Sequence, residues 1–326
     1  MSPAMLDLAV PISVARQPAR PRGPQLEVVD ASYLYSAEFE ETEFLIDGLL
    51  TKGLTLLAGR PKVGKSWLTM QLALHVAHGT PVFGQYAAHQ GRVTYLALEE
   101  PQRRTAARLR RLVPEKTPFL ENLHFIYRLK PMLGGGAAEL DAHLTANPSE
   151  LVVIDTLLAV SQGRPNRDVF RADYAEVTVV RELAEKHQTA FLLVAHSRKA
   201  SAEYHVDSVA GTSGVTAAAD AIWSLTRKPE GSILEISGRE MEETALALAL
   251  RTDHPFGWVK TGSGDLARTS EARADLIAAL RDEGWLKPVD LARQTGKNPS
   301  TVRRLLQEML QSGQVFRNQE GRYGLH

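Results

Sequence analysis

The sequence predicts an α/β fold with a mostly parallel central sheet, followed by a small helical domain at the C-terminus. Between residues 44 and 262, short apolar runs alternate with segments of helical periodicity, as expected when strands and helices alternate along a doubly wound sheet. From residue 270 onward, apolar residues recur at helical spacing, which indicates a second and smaller packing unit.

Composition limits the classes of protein that the chain can represent. Its 326 residues suit one large and one small domain, and 38 basic residues balance 38 acidic ones, so overall charge neither favours nor excludes nucleic acid. The absence of cysteine excludes disulfides and cysteine-based zinc sites and fits a reducing cytosol. The N-terminus lacks a signal-peptide pattern and no long apolar stretch follows, so we expect a cytoplasmic protein without a membrane span.

Changes in composition predict the domain boundaries. Residues 1–43 contain several prolines and an acidic run without periodicity, which predicts a solvated, partly disordered arm. The large domain spans 44–262, the segment SGDLART at 263–269 is a predicted linker, and the small domain spans 270–326.

Apolar runs of the large domain show no polar alternation, which is typical of parallel strands covered by helices on both faces. These predicted strands are Leu54–Leu57, Val93–Leu98, Leu123–Tyr127, Leu151–Ile154 and Phe191–Ala195. The helical patterns between them are Ser66–His78, Arg103–Leu112, Ala137–Leu144 and Tyr174–His187. Shorter strands follow at Ala221–Thr226, Ser232–Ser237, Ala245–Arg251 and Gly257–Lys260, the first two joined by a predicted hairpin turn at 228–231.

The segment GRPKVGKS matches the phosphate-binding pattern G-x-x-x-x-G-K-[ST] and lies between a predicted strand and a predicted helix. Glycines let the backbone curl around phosphate oxygens, and loop amides and the helix N-terminus supply positive dipoles. We expect Lys65 to reach the β- and γ-phosphates and Ser66 to bind Mg²⁺. The alternative is a glycine-rich turn with an exposed lysine. The predicted nucleotide-binding residues are Gly59, Arg60, Pro61, Lys62, Val63, Gly64, Lys65, Ser66, Trp67 and Asp155.

Polar residues follow three further predicted strands. Asp155 ends LVVID, where a carboxylate can hold the magnesium ion. Glu99 and Glu100 follow VTYLAL; Glu99 is the first choice for the base that hydrolysis needs, Glu100 the second, and a surface acidic pair is the alternative. His196 ends LLVAH and could contact the γ-phosphate, unless local hydrogen bonds satisfy it. No N-K-x-D guanine-reading motif occurs, which favours ATP over GTP.

Together these segments resemble the RepA-type and DnaB-type hexameric helicases, a group of RecA-like P-loop ATPases, over residues 44–262. AGTSGVTAAADAIWSLTR and ISGREMEE resemble the later segments of that group. The resemblance implies ATP hydrolysis with Mg²⁺ at subunit interfaces of a homo-hexameric ring. It implies an arginine from the neighbouring subunit at each site, with Arg239 the first candidate and Arg227 the second.

The same resemblance implies loops that thread single-stranded DNA, during replication of a plasmid, phage or mobile element with partner proteins. The matching segments, 161–173 and 197–214, are longer than ordinary α/β connections, and clustered cations could follow phosphates, although both could be solvated loops. Their candidate DNA contacts are Arg164, Arg167, Arg171, Arg198 and Lys199.

Residues 270–326 resemble a winged helix-turn-helix. Gly296 closes the second predicted helix, Asn298 caps the third, and two short strands flank Glu320-Gly321. The start of the third helix could face a DNA groove, and the alternative is a protein-docking module. The candidate DNA contacts here are Ser300, Thr301, Arg303, Arg304, Arg317 and Arg322.

Three functions therefore remain open from the sequence. The first is a helicase that translocates on single-stranded DNA, which the resemblance favours. The second is an ATP-switched DNA-binding protein that recruits or regulates partners. The third is a recombinase-like ATPase that forms filaments.

Overall fold

The computed structural model describes residues 28–38, 42–162, 169–196, 213–228 and 231–325. The chain divides into two compact units, Met1–Glu41 and Thr42–His326. The first contains a short helix, α1 (Ala31–Ser36), whose N-cap Asp30 accepts a hydrogen bond from the Tyr33 amide. The prediction of an arm without regular structure is therefore wrong for these six residues, because a local cap stabilises one helical turn.

The second unit alternates strands and helices and ends in a helical module. Its strands are β1 (Phe44–Ile46), β2 (Leu50–Thr51), β3 (Gly53–Gly59), β4 (Val93–Ala97), β5 (Leu123–Ile126), β6 (Leu151–Asp155), β7 (Ala190–His196), β8 (Ala221–Lys228), β9 (Gly231–Gly238), β10 (Met241–Arg251), β11 (Gly257–Ser263), β12 (Phe316–Arg317) and β13 (Tyr323–Gly324). Its helices are α2 (Lys65–His78), α3 (Gln102–Leu112), α4 (Gly136–Ala146), α5 (Leu157–Val160), α6 (Val169–His187), α7 (Ser213–Ala217), α8 (Gly264–Glu283), α9 (Pro288–Thr295) and α10 (Pro299–Gln311).

The central sheet has nine strands in the order β11-β10-β9-β8-β3-β7-β6-β4-β5. The six strands from β8 to β5 are parallel to their neighbours, whereas β9, β10 and β11 are antiparallel. This arrangement confirms the predicted α/β fold with a mostly parallel sheet. It also confirms the predicted β8–β9 hairpin, because Lys228 pairs with Gly231.

Apolar side chains cover both faces of the sheet, which explains why the strands lack polar alternation. On one face, Leu57 of β3 shares a cluster with Leu68 of α2 and Trp223 of β8. On the other, Leu56 shares a cluster with Phe191 of β7 and with residues of α4, α6 and α7. Within the described ranges, no helix combines the length and apolar character needed to span a bilayer.

The C-terminal module has a hydrophobic cluster of its own, formed by α8, α9, α10 and the β12–β13 hairpin. Gly296 adopts a left-handed conformation (φ 65°) after α9, and the Asn298 side chain caps α10. These features agree with the predicted winged helix-turn-helix; its boundary at residue 270 stays a prediction.

The predicted linker at 263–269 is wrong. Ser263 ends β11 and α8 begins at the next residue, Gly264. The segment Asp265–Arg268 contains good helix-forming residues, and α8 contacts β9, β10 and β11. The module is therefore packed on the sheet rather than tethered by a coil.

Gly264 provides a direct test of this packing. A Cβ built on Gly264 would lie 2.7 Å from Ala245 Cβ, 2.9 Å from the Ala245 carbonyl carbon and 3.1 Å from an Ile233 methyl group, whereas one on Gly262 would meet nothing within 4 Å. We predict that Gly264→Ala lowers the free energy of unfolding by about 1–3 kcal/mol, because backbone cannot move aside.

Denaturant unfolding should show this loss for Gly264→Ala but not for Gly262→Ala, the matched control. Equal stability of the two variants would contradict close packing of α8 on the sheet.

Candidate functional site

The carboxyl ends of the parallel strands bring the predicted site residues to one edge of the sheet. Gly59, at the end of β3, pairs with His196 at the end of β7. Asp155, at the end of β6, pairs with Ala97 of β4, two residues before Glu99. Residues that lie far apart in sequence therefore share one edge because their strands are neighbours in register.

The phosphate-binding loop joins β3 to α2, as predicted. Gly59 has no room for a side chain, since a Cβ there would lie 2.7 Å from the Leu225 carbonyl oxygen. Gly64 is left-handed (φ +107°), and a Cβ there would lie 2.6 Å from the Trp258 ring. Arg60, Pro61 and Lys62 are exposed and Val63 is buried. The loop is therefore open to solvent and leads into the first turn of α2, whose amides lack intrahelical acceptors.

Lys65 points back into this loop. Its Nζ donates hydrogen bonds to the carbonyl oxygens of Gly59 (2.7 Å) and Arg60 (3.1 Å) and lies 3.2 Å from Nδ1 of His196. Burial lowers the pKa of Lys65 to about 8, although Asp155 and Glu99 oppose that shift. The ammonium is thus desolvated and held by carbonyl dipoles, so a polyanion would be a stronger partner.

Asp155 is a buried carboxylate beside the start of α2. It accepts a hydrogen bond from the Tyr95 hydroxyl (3.1 Å) and is hydrogen-bonded to the Ser66 side chain. Burial raises the pKa of Asp155, because the charged form loses water. A carboxylate next to a hydroxyl is a suitable set of oxygen ligands for a hard divalent cation.

These two ligands suit Mg²⁺ better than a cation that needs a full protein cage. In the part of the chain that the structure describes, no group of three or more His, Asp or Glu side chains could hold a metal. Magnesium typically takes one or two protein ligands and completes its shell with water and phosphate oxygens. Ser66 and Asp155 therefore fit the ion that a nucleotide triphosphate brings.

The two adjacent glutamates differ in their surroundings. Glu99 accepts a hydrogen bond from the Thr156 hydroxyl (2.6 Å), and its side chain is 44% exposed. Glu100 forms an ion pair with Arg108 (3.0 Å) and its side chain is only 8% exposed, and burial raises the pKa of Glu100. This geometry favours Glu99 over Glu100 as the group that could meet a water molecule.

His196 lies between the loop lysine and this glutamate. Its Nδ1 faces Lys65, and its Nε2 is 4.0 Å from a carboxylate oxygen of Glu99. The ring therefore connects the group expected to bind phosphate with the group expected to act on water.

Next to the loop, a cluster of aromatic rings and arginines includes residues that sequence reasoning missed. The rings of Trp67 and Phe256 meet edge to face at 4.5 Å. The Arg111 guanidinium lies 4.2 Å from the Phe256 ring centre, and that of Arg108 lies 5.3 Å from the Trp67 ring. Phe256 follows a proline in the β10–β11 loop, and nothing in its local pattern indicates that it meets Trp67.

The two arginine-finger candidates lie at opposite edges of the sheet. Arg227 is exposed near the end of β8, on the same edge as the phosphate loop. Arg239 is exposed in the β9–β10 turn at the other edge, where its amide donates to Asp220 O and its guanidinium donates to Ala217 O at 3.0 Å. Within one chain, Arg239 is thus directed away from the phosphate loop.

The predicted DNA-binding residues divide into two groups. Arg164, Arg167, Arg198 and Lys199 lie outside the described residues. Arg171 is exposed on α6. On α10, Arg303 is exposed and Arg304 pairs with Glu308 (2.6 Å), while in the hairpin Arg322 pairs with Glu320 (3.2 Å). The remaining candidates are Ser300 and Arg317, which are exposed, and Thr301, which is half-buried.

Residues 19–202 match a family model described as an AAA domain, which is more than half of the chain. The chain belongs to this AAA domain family. Residues 274–318 match an IclR helix-turn-helix domain. With its phosphate loop and mostly parallel sheet, this AAA domain protein is a RecA-like P-loop ATPase with a C-terminal helix-turn-helix region.

Two solved structures resemble the chain at low sequence identity. The ATPase domain of a DnaB-like helicase is 13% identical, with a TM-score of 0.49 over 65% of this chain and 85% of that one. A KaiC-like protein from the archaeon Pyrococcus horikoshii OT3 is 13% identical, with a TM-score of 0.47 over 68% of this chain and 98% of that one. No curated protein sequence matches the chain significantly.

The lowered pKa of Lys65 predicts proton uptake when nucleotide binds. Near pH 8 about half of the Lys65 side chains are neutral in the nucleotide-free protein, and phosphate charges favour the protonated form. We predict uptake of up to about half a proton near pH 8, falling toward zero as the pH drops below the pKa.

Calorimetric titrations in buffers of different ionisation enthalpy measure this uptake. Lys65→Arg is the control, because a guanidinium stays protonated throughout, and the difference between the two proteins cancels protons taken up by the nucleotide itself. The same uptake in both proteins would contradict the assignment to Lys65.

Proposed function

We propose that this protein is an ATP-hydrolysing motor that assembles as a ring and translocates on single-stranded DNA. The observation that carries the ATPase part is the convergence of Lys65, Asp155, Glu99 and His196 at one edge of the sheet. The motor part rests on the resemblance of these strands to RepA-type and DnaB-type helicases.

Each group in the site has a chemical task in this proposal. Lys65 exchanges its carbonyl partners for phosphate oxygens, and the amides of the loop and of α2 contact the same phosphates. Ser66 and Asp155 hold Mg²⁺, which supplies positive charge to the phosphate oxygens. Glu99 orients a water molecule and accepts its proton, and His196 responds to loss of the γ-phosphate.

The aromatic cluster supplies a surface for the base of ATP. Trp67 follows Ser66 directly, so its ring lies one residue beyond the phosphate-binding groups. A planar base can stack on aromatic rings and on arginine guanidinium planes. Trp67, Phe256 and Arg111 therefore form the proposed base platform.

Arg239 is the proposed finger from a neighbouring subunit. It is exposed at the edge of the sheet opposite its own phosphate loop, as a residue acting across an interface must be. An arginine that stabilises charge on the transferred phosphoryl group accelerates turnover by about 10³-fold or more. Arg227, on the same edge as its own loop, is the second candidate. A homo-hexameric ring would complete six such sites.

DNA contact is proposed at two places. The connections that follow β6 and β7 leave the sheet at the edge that carries the nucleotide site, so hydrolysis there could move them along a strand. Arg303 on α10 and Arg317 in the hairpin are exposed on the C-terminal module, where they could contact duplex phosphates or bases. Replication of a plasmid, phage or mobile element, with partner proteins, is the proposed setting.

A second function has one observation in its favour. The helix-turn-helix region is packed against β9, β10 and β11 by α8 rather than tethered loosely. This arrangement suits an ATP-switched DNA-binding protein, in which nucleotide state alters binding at a chosen site without unwinding.

One set of assays separates these functions. ATP turnover is measured with and without single-stranded DNA, together with unwinding of a forked duplex and binding of intact duplex. The motor proposal expects turnover stimulated by single strands and ATP-dependent unwinding, both absent in Lys65→Ala. ATP-dependent duplex binding without unwinding would favour the second function, and unchanged turnover in Lys65→Ala would overturn both.

The surroundings of the two glutamates predict different phenotypes. We predict that Glu99→Gln binds ATP normally but hydrolyses it about 10²-fold or more slowly, because the amide keeps the shape and loses the proton acceptor. Glu100→Gln should instead weaken the buried pair with Arg108 and lower the melting temperature, with a smaller effect on turnover.

Single-turnover hydrolysis, nucleotide affinity and thermal unfolding of both variants test this pair. If Glu100→Gln shows the larger loss of hydrolysis with unchanged stability, Glu100 and not Glu99 acts on water.

A further inference from the structure

Tyr95 connects the candidate metal site to the interior of the protein. It lies in the middle of β4, with a side chain that is 0% exposed. Its hydroxyl is 2.8 Å from the Thr69 hydroxyl and 3.1 Å from Oδ2 of Asp155. Two polar partners at these distances satisfy a phenol that would otherwise be buried at a high energetic cost.

The chemistry of the three groups fixes the direction of these hydrogen bonds. An ionised carboxylate can only accept, so the Tyr95 hydroxyl donates to Asp155. The Tyr95 oxygen then accepts from Thr69, whose hydroxyl also lies 3.4 Å from the Ser66 carbonyl oxygen. The chain runs Thr69 to Tyr95 to Asp155 and places one Asp155 oxygen under direct control of the tyrosine.

These residues also span three separate elements. Thr69 lies on α2, one turn after Ser66; Tyr95 lies on β4; and Asp155 ends β6. The hydrogen bonds therefore tie the helix that carries Ser66 to the strand that carries Asp155. Both ends of the connection are the side chains that would hold Mg²⁺.

We propose that Tyr95 is a positioning residue that fixes the distance and orientation of Asp155 relative to Ser66, and so sets the affinity of the site for the divalent cation that accompanies the nucleotide. The proposal rests on the proposed ATPase function. Groups that orient a metal ligand through a hydrogen bond typically change metal affinity by about 10–100-fold when they are lost.

The alternative is that Tyr95 only fills the core. Its ring packs 5.5 Å from the ring of Phe125, and Phe would keep that contact. Tyr95→Phe therefore removes the hydroxyl and leaves the packing. Tyr86→Phe is the matched control, because its hydroxyl receives a hydrogen bond from Lys260 (3.2 Å) and contacts neither Ser66 nor Asp155.

The test measures binding directly as well as turnover. Mn²⁺ binding to the ADP complex is followed by electron paramagnetic resonance, nucleotide affinity is measured in EDTA, and hydrolysis is titrated with Mg²⁺. We expect Tyr95→Phe to weaken Mn²⁺ binding and to raise the Mg²⁺ concentration for half-maximal hydrolysis by about 10-fold or more. Metal-free nucleotide affinity should stay unchanged, and Tyr86→Phe should match the wild type in every assay.

Two outcomes would overturn the inference: wild-type Mn²⁺ affinity in folded Tyr95→Phe, or an equal loss of nucleotide affinity with and without metal. If Tyr95→Phe does not fold, Thr69→Val removes the other end of the chain and should shift Mn²⁺ affinity in the same direction; no shift there overturns the inference. Absence of metal-dependent nucleotide binding in the wild type would instead refute the proposed ATPase.

Discussion

The parallel pairing of β3 with β7 and β8 is the constraint on which the candidate site depends. It aligns Gly59 with His196 on one side and with Leu225 on the other. Because β6 and β4 continue the sheet beyond β7, the same register brings Asp155 and Glu99 to this edge. The lack of space at Gly59 shows how closely the strands approach there, so a side chain at that position would displace the start of the phosphate loop.

Burial acts on the charges of this edge in opposite directions. It lowers the pKa of Lys65 to about 8 and raises the pKa of Asp155, because each charged form loses contact with water. Each group keeps polar partners from the backbone or from neighbouring side chains. Dipoles and charges arranged before a substrate arrives need little reorganisation during the reaction, which is the physical basis of electrostatic catalysis.

The edge strand β11 joins the nucleotide loop to the C-terminal module. The Trp258 indole on this strand donates a hydrogen bond to the Gly64 carbonyl oxygen (3.3 Å), and Gln71 binds the Trp258 backbone through both its amide oxygen and its amide nitrogen. The same strand ends at Ser263, directly before α8. The phosphate loop and the helix-turn-helix region are therefore connected through one hydrogen-bonded strand.

The sequence by itself determined the features that depend on local geometry. The spacing of Gly59, Gly64 and Lys65 predicted the phosphate loop, uninterrupted apolar runs predicted the buried parallel strands, and Gly296 and Asn298 marked helix ends, because each pattern encodes a backbone conformation or a burial state. Only the tertiary structure decided which residues meet across the chain: Glu100 with Arg108, Trp67 with Phe256, Tyr95 with Asp155, and α8 with the sheet. Such contacts depend on how separate elements pack, and no local spacing specifies that packing.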